Sequence, residues 1–127
     1  MKKIIVVLTL VLALTFAGVS SALAATSFNT EDGRYEMSLT TTSSKNDVKI
    51  TVSNLVELHY AGYESSASGT QLQARLCSAS TGNCTGYQTM GGNTTTFTNM
   101  IPSTYYVDIR DVMSSSSISG KVSAYAY

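Results

Sequence analysis

His59 is the one histidine of the chain, so any chemistry that needs an imidazole must use it. Glu57 stands two residues earlier, and in an extended strand the two side chains share a face. That pair could begin a metal site. Such sites take three or four protein ligands, and no third is suggested. A Ser-His-Asp hydrolase would combine His59, one of many serines, and Asp108 or Asp111. Serines are too abundant here to be a signal, and no Gly-x-Ser-x-Gly turn exposes one as a nucleophile. An ordinary surface or hydrogen-bonded histidine is the stronger reading. No catalytic residue, metal ligand or cofactor is therefore expected, and the chain does not read as an enzyme.

Asp108, Arg110 and Asp111 invite a calcium or salt-bridge reading. Calcium takes six to eight oxygens, often from clustered carboxylates. Asp108 and Arg110 share a strand face, so a surface ion pair between them is the expectation. Asn83-Cys84-Thr85 and Asn93-Thr94-Thr95 match the glycosylation pattern but read more simply as turns. Cys77 and Cys84 are the only cysteines, and in an exported chain they are expected to form one internal disulfide. Two free thiols, or a bond between chains, are the alternatives.

The tyrosines are the most informative group. Tyr106, Tyr125 and Tyr127 fall on the outward register of the last two strands, with Tyr60 and Tyr63 in a less regular stretch. Exposed tyrosines offer flat contact area with a hydroxyl handle, as surfaces for sugars and proteins do. Cover by a second sheet, or shielding of an edge strand, explains them more plainly.

The elements that must hold these residues begin after an export signal. Lys2 and Lys3 precede an apolar run from Ile4 to Phe16, and Ala22-Leu23-Ala24 supplies a peptidase site. Residues 1–24 are expected to be cleaved, because the apolar run is shorter than the roughly 20 residues of a spanning helix. No second hydrophobic run of that length follows, nor a lipoprotein cysteine or a sorting motif. The product is expected to leave the membrane and be secreted, and the short signal has a bacterial look.

Residues 25–127 fit one domain. Without Lys2 and Lys3, six basic residues face eight acidic ones, a net charge of about −2. That offers no footprint for nucleic acid or an anionic membrane. Ser, Thr, Tyr, Val and Gly dominate, good helix formers are scarce, and the only proline is Pro102.

Alternation follows. Tyr35, Met37 and Leu39 share one face; so do Val48, Ile50 and Val52; so do Leu72, Ala74 and Leu76, with Gln73, Arg75 and Cys77 opposite. Tyr105, Val107 and Ile109 form another inward set, and Ile118, Gly120, Val122, Ala124 and Ala126 the last. Ser80 to Asn83 supplies a turn with Gly82 in a left-handed position, which brings Cys77 and Cys84 together across a hairpin, on its outer face or edge. Ala25 to Gly33 reads as an irregular lead-in, Glu64 to Gly69 and Met113 to Ser117 as loops, and Leu55 to Tyr63 as strand or helical turn. The expectation is all-β: a small antiparallel sandwich, jelly-roll or Ig-like, of seven or eight strands.

Leu72-Gln73-Ala74-Arg75-Leu76 before a polar turn, then Phe97-Thr98-Asn99-Met100 leading into Ser103-Thr104-Tyr105-Tyr106-Val107-Asp108-Ile109, resembles the bacterial pre-peptidase C-terminal domain and, more loosely, other Ig-like secreted accessory modules. The likeness covers Thr70 to Tyr127. It implies a jelly-roll-like sandwich and no functional residue. The chain lacks the glycine usual before the Tyr-Tyr pair, and the cysteine pair is foreign to that family.

Three kinds of work remain. The first is a secreted, non-enzymatic binding or surface-associated module for an extracellular protein, glycan or matrix partner. The second is an exported inhibitor that presents the Cys77–Cys84 hairpin as a preorganised loop. The third is a matrix or fibre-forming protein that pairs strands edge to edge.

Overall fold

The computed structural model describes residues 25–127, and the expected export signal lies outside them. Among the described residues, nine strands form two antiparallel sheets that pack face to face. One sheet joins β1 (Thr26–Asn29), β9 (Ser116–Ala126), β3 (Val48–His59) and β4 (Glu64–Ser66) in that order, with β7 (Thr94–Phe97) also paired to β3. The other runs β2 (Met37–Thr40), β8 (Thr104–Asp111), β5 (Leu72–Ser78), β6 (Gln88–Thr89). Two 3-10 turns, Gly69–Gln71 and Gly91–Asn93, precede β5 and β7. No helix among the described residues is long and apolar enough to cross a membrane.

The core is the set that two-residue periodicity selects. Val48, Ile50 and Val52 from β3 and Val122 and Ala124 from β9 close against Leu72, Ala74 and Leu76 from β5 and Val107 and Ile109 from β8. Each of the Val, Leu and Ile side chains among them stabilises the fold by roughly 1.5–3 kcal/mol through removal from water.

Several expectations need correction. Nine strands replace seven or eight. The lead-in contains β1, whose single buried apolar residue, Phe28, gave no period to read. The chain after Asp32-Gly33 enters its strand at Met37, and Tyr35 stands outside it, half-exposed rather than inward. Glu64–Ser66 is a strand, and Ser116 and Ser117 are buried residues of β9 rather than loop. The return from Cys84 touches β5 at one bridge and again only at Gln88–Thr89. Cys77 has the outward register but is itself buried, leaving Cys84 as the exposed half of the bridge.

A β-bulge decides what lies at one end of the sandwich. Between Ser53 and Val56 the β3–β9 register slips, so that Asn54 and Leu55 together oppose Gly120. Asn54 takes φ 53°, the left-handed region that asparagine tolerates. The extra residue reverses side-chain parity along β3. Before the bulge, the even-numbered residues point inward; after it, Leu55, Glu57 and His59 do. A charged residue thereby enters the sandwich.

Candidate functional site

Glu57 is buried and fully engaged. Its Oε2 accepts from Ser116 Oγ at 2.7 Å, and its Oε1 accepts from Gln71 Nε2 at 2.9 Å. Gln71 is held in turn by the 3-10 turn it ends, where its Oε1 accepts the Ser68 N–H at 2.7 Å. The Ser116 hydroxyl, then the Gln71 amide, hold the Glu57 carboxyl below the usual carboxylate range. His59 Nε2 lies 3.4 Å from Glu57 Oε2 and 2.8 Å from Ser65 Oγ, and its ring stacks on Tyr63 at 4.1 Å.

Sequence reading paired Glu57 with His59, and the strand does bring them together. The pair does not build a triad. In a triad the acid holds one imidazole nitrogen and the nucleophile uses the other. Here Glu57 and Ser65 both approach Nε2. Asp108 is on the outer face of the other sheet, and Asp111 is committed to Thr30 Oγ1 and the Met113 N–H. Among the described residues, no three His, Cys, Asp or Glu side chains cluster as a metal would require. The cluster is a satisfied polar plug at the end of the core.

The outer face of the four-stranded sheet is built differently. Its register sets Gln73 opposite Arg110, Arg75 opposite Asp108, and Cys77 opposite Tyr106. Arg75 Nε donates to Asp108 Oδ2 at 2.7 Å, and Tyr87 Oη donates to the same oxygen at 3.0 Å. Arg110 Nε donates to Gln73 Oε1 at 2.9 Å. The Tyr87 ring carries two guanidiniums, Arg110 at 3.7 Å and Arg75 at 4.6 Å from its centroid. Burial, and then the bond to Asp108, keep the Tyr87 phenol above its usual value. The expected Asp108–Arg110 pair is thus replaced by Arg75–Asp108. Directly opposed residues on neighbouring strands sit at about 5 Å, closer than residues two apart on one strand.

Tyr106 continues this row. Tyr35, from the segment leading into β2, stacks on it with ring centroids 4.9 Å apart and planes 1° from parallel. Beside them a groove of about 420 Å³ is lined by Arg34, Tyr35, Asp108, Ile109 and Arg110 among others. Tyr125 and Tyr127 lie on the outer face of the five-stranded sheet, with their own rings 5.6 Å apart. The three tyrosines singled out from sequence therefore divide: Tyr106 is on one side of the sandwich, Tyr125 and Tyr127 on the other. Consecutive strands β8 and β9 belong to different sheets, which no local pattern reveals.

Sequence reading missed Tyr35, Tyr87 and the arginines as a group. A signal was present: Arg75 and Arg110 both fall in outward registers of strands that alternate strongly, and pairing those strands makes them neighbours.

Glu36 lies behind the same groove. Its Oε2 accepts the Ile109 N–H at 2.8 Å, and burial pushes its carboxyl up to about 8. An acid raised on folding stabilises the fold while it keeps its proton. That contribution is complete below the ordinary value of 4.5 and is lost as pH rises through about 8. Glu36→Gln keeps an acceptor for Ile109 and cannot ionise. Because Glu36 is partly solvated, the gain is expected to be about 1 kcal/mol at pH 8.5, a rise in Tm of about 4–8 °C. At pH 4 the two proteins should melt together. Thermal unfolding followed by circular dichroism across that range checks it.

At one end of the sandwich the Cys77–Cys84 bridge borders a cleft of about 350 Å³, lined by Leu76, Thr85, Pro102 and Tyr105 among others, with Ile101 exposed on its rim. Tyr105 Oη donates to the Ile101 carbonyl at 2.6 Å and fixes that wall. Compared with known proteins, the chain matches no family description, no curated protein and no solved structure, so its site stands on this geometry.

Proposed function

We propose that the chain is a secreted, non-enzymatic binding module that engages an extracellular glycan through the outer face of its four-stranded sheet. The observation that carries this reading is the row Tyr35–Tyr106, Arg75–Asp108, Tyr87 and Arg110 on one face. Sugar rings present an apolar face to an aromatic ring and hydroxyls to charged and amide groups around it. The row offers both, and its side chains hold one another in place, so little rotamer freedom is lost on binding. The disulfide suits an oxidising compartment. Export through residues 1–24 belongs to the same proposal: the N-terminus of the mature protein should be Ala25.

Tyr35→Ala and Tyr106→Ala are expected to weaken retention on glycan matrices by about tenfold or more, the loss of one aromatic contact of ~1.5 kcal/mol. Tyr125→Ala, on the opposite face, should bind like wild type. Affinity electrophoresis through gels cast with different polysaccharides reads all three. Equal loss in Tyr125→Ala, or no retardation of wild type in any gel, overturns the reading.

The cleft beside the disulfide supports a second reading, an exported inhibitor that presents the hairpin to a protein target. Its rim is apolar at Ile101 and preorganised by the bridge.

A further inference from the structure

The chain has three arginines, and the fold gathers all of them on one side. Arg75 and Arg110 project from the outer face of the four-stranded sheet, and Arg34 lines the groove beside Arg110. The lysines of residues 25–127 are elsewhere: Lys49 and Lys121 lie on β3 and β9 of the other sheet, and Lys45 in the turn between β2 and β3. Residues 25–127 carry a net charge of about −2, six basic against eight acidic, so this segregation is a local property that net charge conceals.

The carboxylates near the groove are engaged elsewhere than on Arg34 and Arg110. Asp108 is spent on Arg75 and Tyr87. Asp32 accepts the Arg34 backbone N–H through Oδ1 at 2.9 Å. Glu36, with its carboxyl pushed up to about 8, is neutral near pH 7. Neither Arg34 nor Arg110 has a carboxylate within salt-bridge distance among the described residues. Two guanidiniums with free N–H groups therefore line one groove with Tyr35, a residue that is 50% exposed. Guanidinium presents a planar fork that matches a carboxylate in two parallel hydrogen bonds, which an ammonium cannot do.

We infer that this face selects an acidic polysaccharide, with a uronate carboxylate held by Arg34 and Arg110 while its pyranose ring stacks on Tyr35. The inference rests on the glycan-binding reading above and adds the charge of the ligand. Tyr35 and Tyr106 set where the chain lies; Arg34 and Arg110 decide which chain.

The test uses the disulfide-bonded protein of residues 25–127 with polygalacturonate, the same polymer fully methyl-esterified, and poly-glutamate, by isothermal titration in low salt and in 0.5 M salt. Polygalacturonate is expected to bind at least tenfold more tightly than the ester, and to lose most of that advantage in 0.5 M salt. Arg34→Gln and Arg110→Gln should each lose about tenfold for polygalacturonate and much less for the ester, so that the preference for the acid over the ester collapses. Lys49→Gln/Lys121→Gln should behave as wild type. Unchanged melting temperatures confirm that the variants are folded, and Arg110→Lys serves as a milder probe of the fork and should recover only part of the affinity. Equal binding of acid and ester overturns the inference but spares the glycan reading. Binding of neither overturns the inference, and the gels with other polysaccharides decide the glycan reading separately. Poly-glutamate that binds as well as polygalacturonate shows that charge alone is recognised, and overturns the assignment to a sugar.

Discussion

Gly69→Ala is expected to cost about 3 kcal/mol, at the upper end of overpacking penalties, and to lower Tm by about 15 °C. Gly69 is buried where the two 3-10 turns press together, and its N–H donates to Asn93 Oδ1 at 2.9 Å. A Cβ there would sit 2.4 Å from the Met90 carbonyl oxygen, 2.6 Å from Asn93 Oδ1 and 2.9 Å from Asn93 Cα. Two of those atoms are backbone, so rotating the Asn93 side chain would relieve only one of the three clashes. The strain passes to Gln71, which ends the same turn and donates to Glu57. Gly91→Ala is the matched control: a Cβ at Gly91 meets nothing within 4 Å. It should change stability by only a few tenths of a kcal/mol. Urea unfolding of both variants checks the pair, and a Gly69→Ala protein within about 0.5 kcal/mol of wild type would show that the turns are not packed as described.

The contrast between those two glycines shows what a sequence reveals and what it hides. Val48-x-Ile50-x-Val52 and Tyr105-x-Val107-x-Ile109 declare their inward faces because strand periodicity is local: each residue's direction follows from its neighbour's. All six are buried. The same logic set Tyr106, Asp108 and Arg110 outward, and that half of the site was legible. The bulge was not. Asn54-Leu55 looks like any continuation of β3, and the slip becomes visible only against Gly120 across the sheet. The sequence therefore put Glu57 on one face with His59 without showing that parity reversal turns that face into the sandwich, where Glu57 meets Ser116 and Gln71. Short strands such as β4 and β6 carry too few residues to show a period.

The remaining gap is topological. Tyr106 and Tyr125 obey one rule of alternation and still end on opposite faces, since β8 pairs with β5 and β2 while β9 pairs with β3 and β1. Sheet membership depends on contacts tens of residues apart. It also explains why the arginines escaped notice: Arg34, Arg75 and Arg110 are far apart in the chain and meet only through the β5–β8 pairing and the segment ahead of β2.

Removing the disulfide with Cys77→Ala/Cys84→Ala is expected to cost about 2–3 kcal/mol, the chain entropy restored to a short loop. In a domain with total stability of ~5–10 kcal/mol the protein should remain folded at 25 °C, with Tm lower by about 10–15 °C. The cost is local in structure. Between Cys84 and Gln88 the return segment has few ladder bonds to β5, chiefly Thr85 N–H to the Leu76 carbonyl and Leu76 N–H to Thr85 Oγ1. Without the bridge this segment is the first to loosen, and Tyr87 loosens with it. The two functional readings then separate. A protein-binding hairpin loses its preorganised loop and should lose activity while the sandwich is intact. A glycan face anchored on Tyr35, Tyr106, Arg34 and Arg110 loses only the Tyr87 support, and should keep its affinity within a fewfold. Titration of the double variant with polygalacturonate at 25 °C, beside its unfolding curve, gives both numbers. Full loss of glycan affinity in a folded variant would move the site from the sheet to the hairpin.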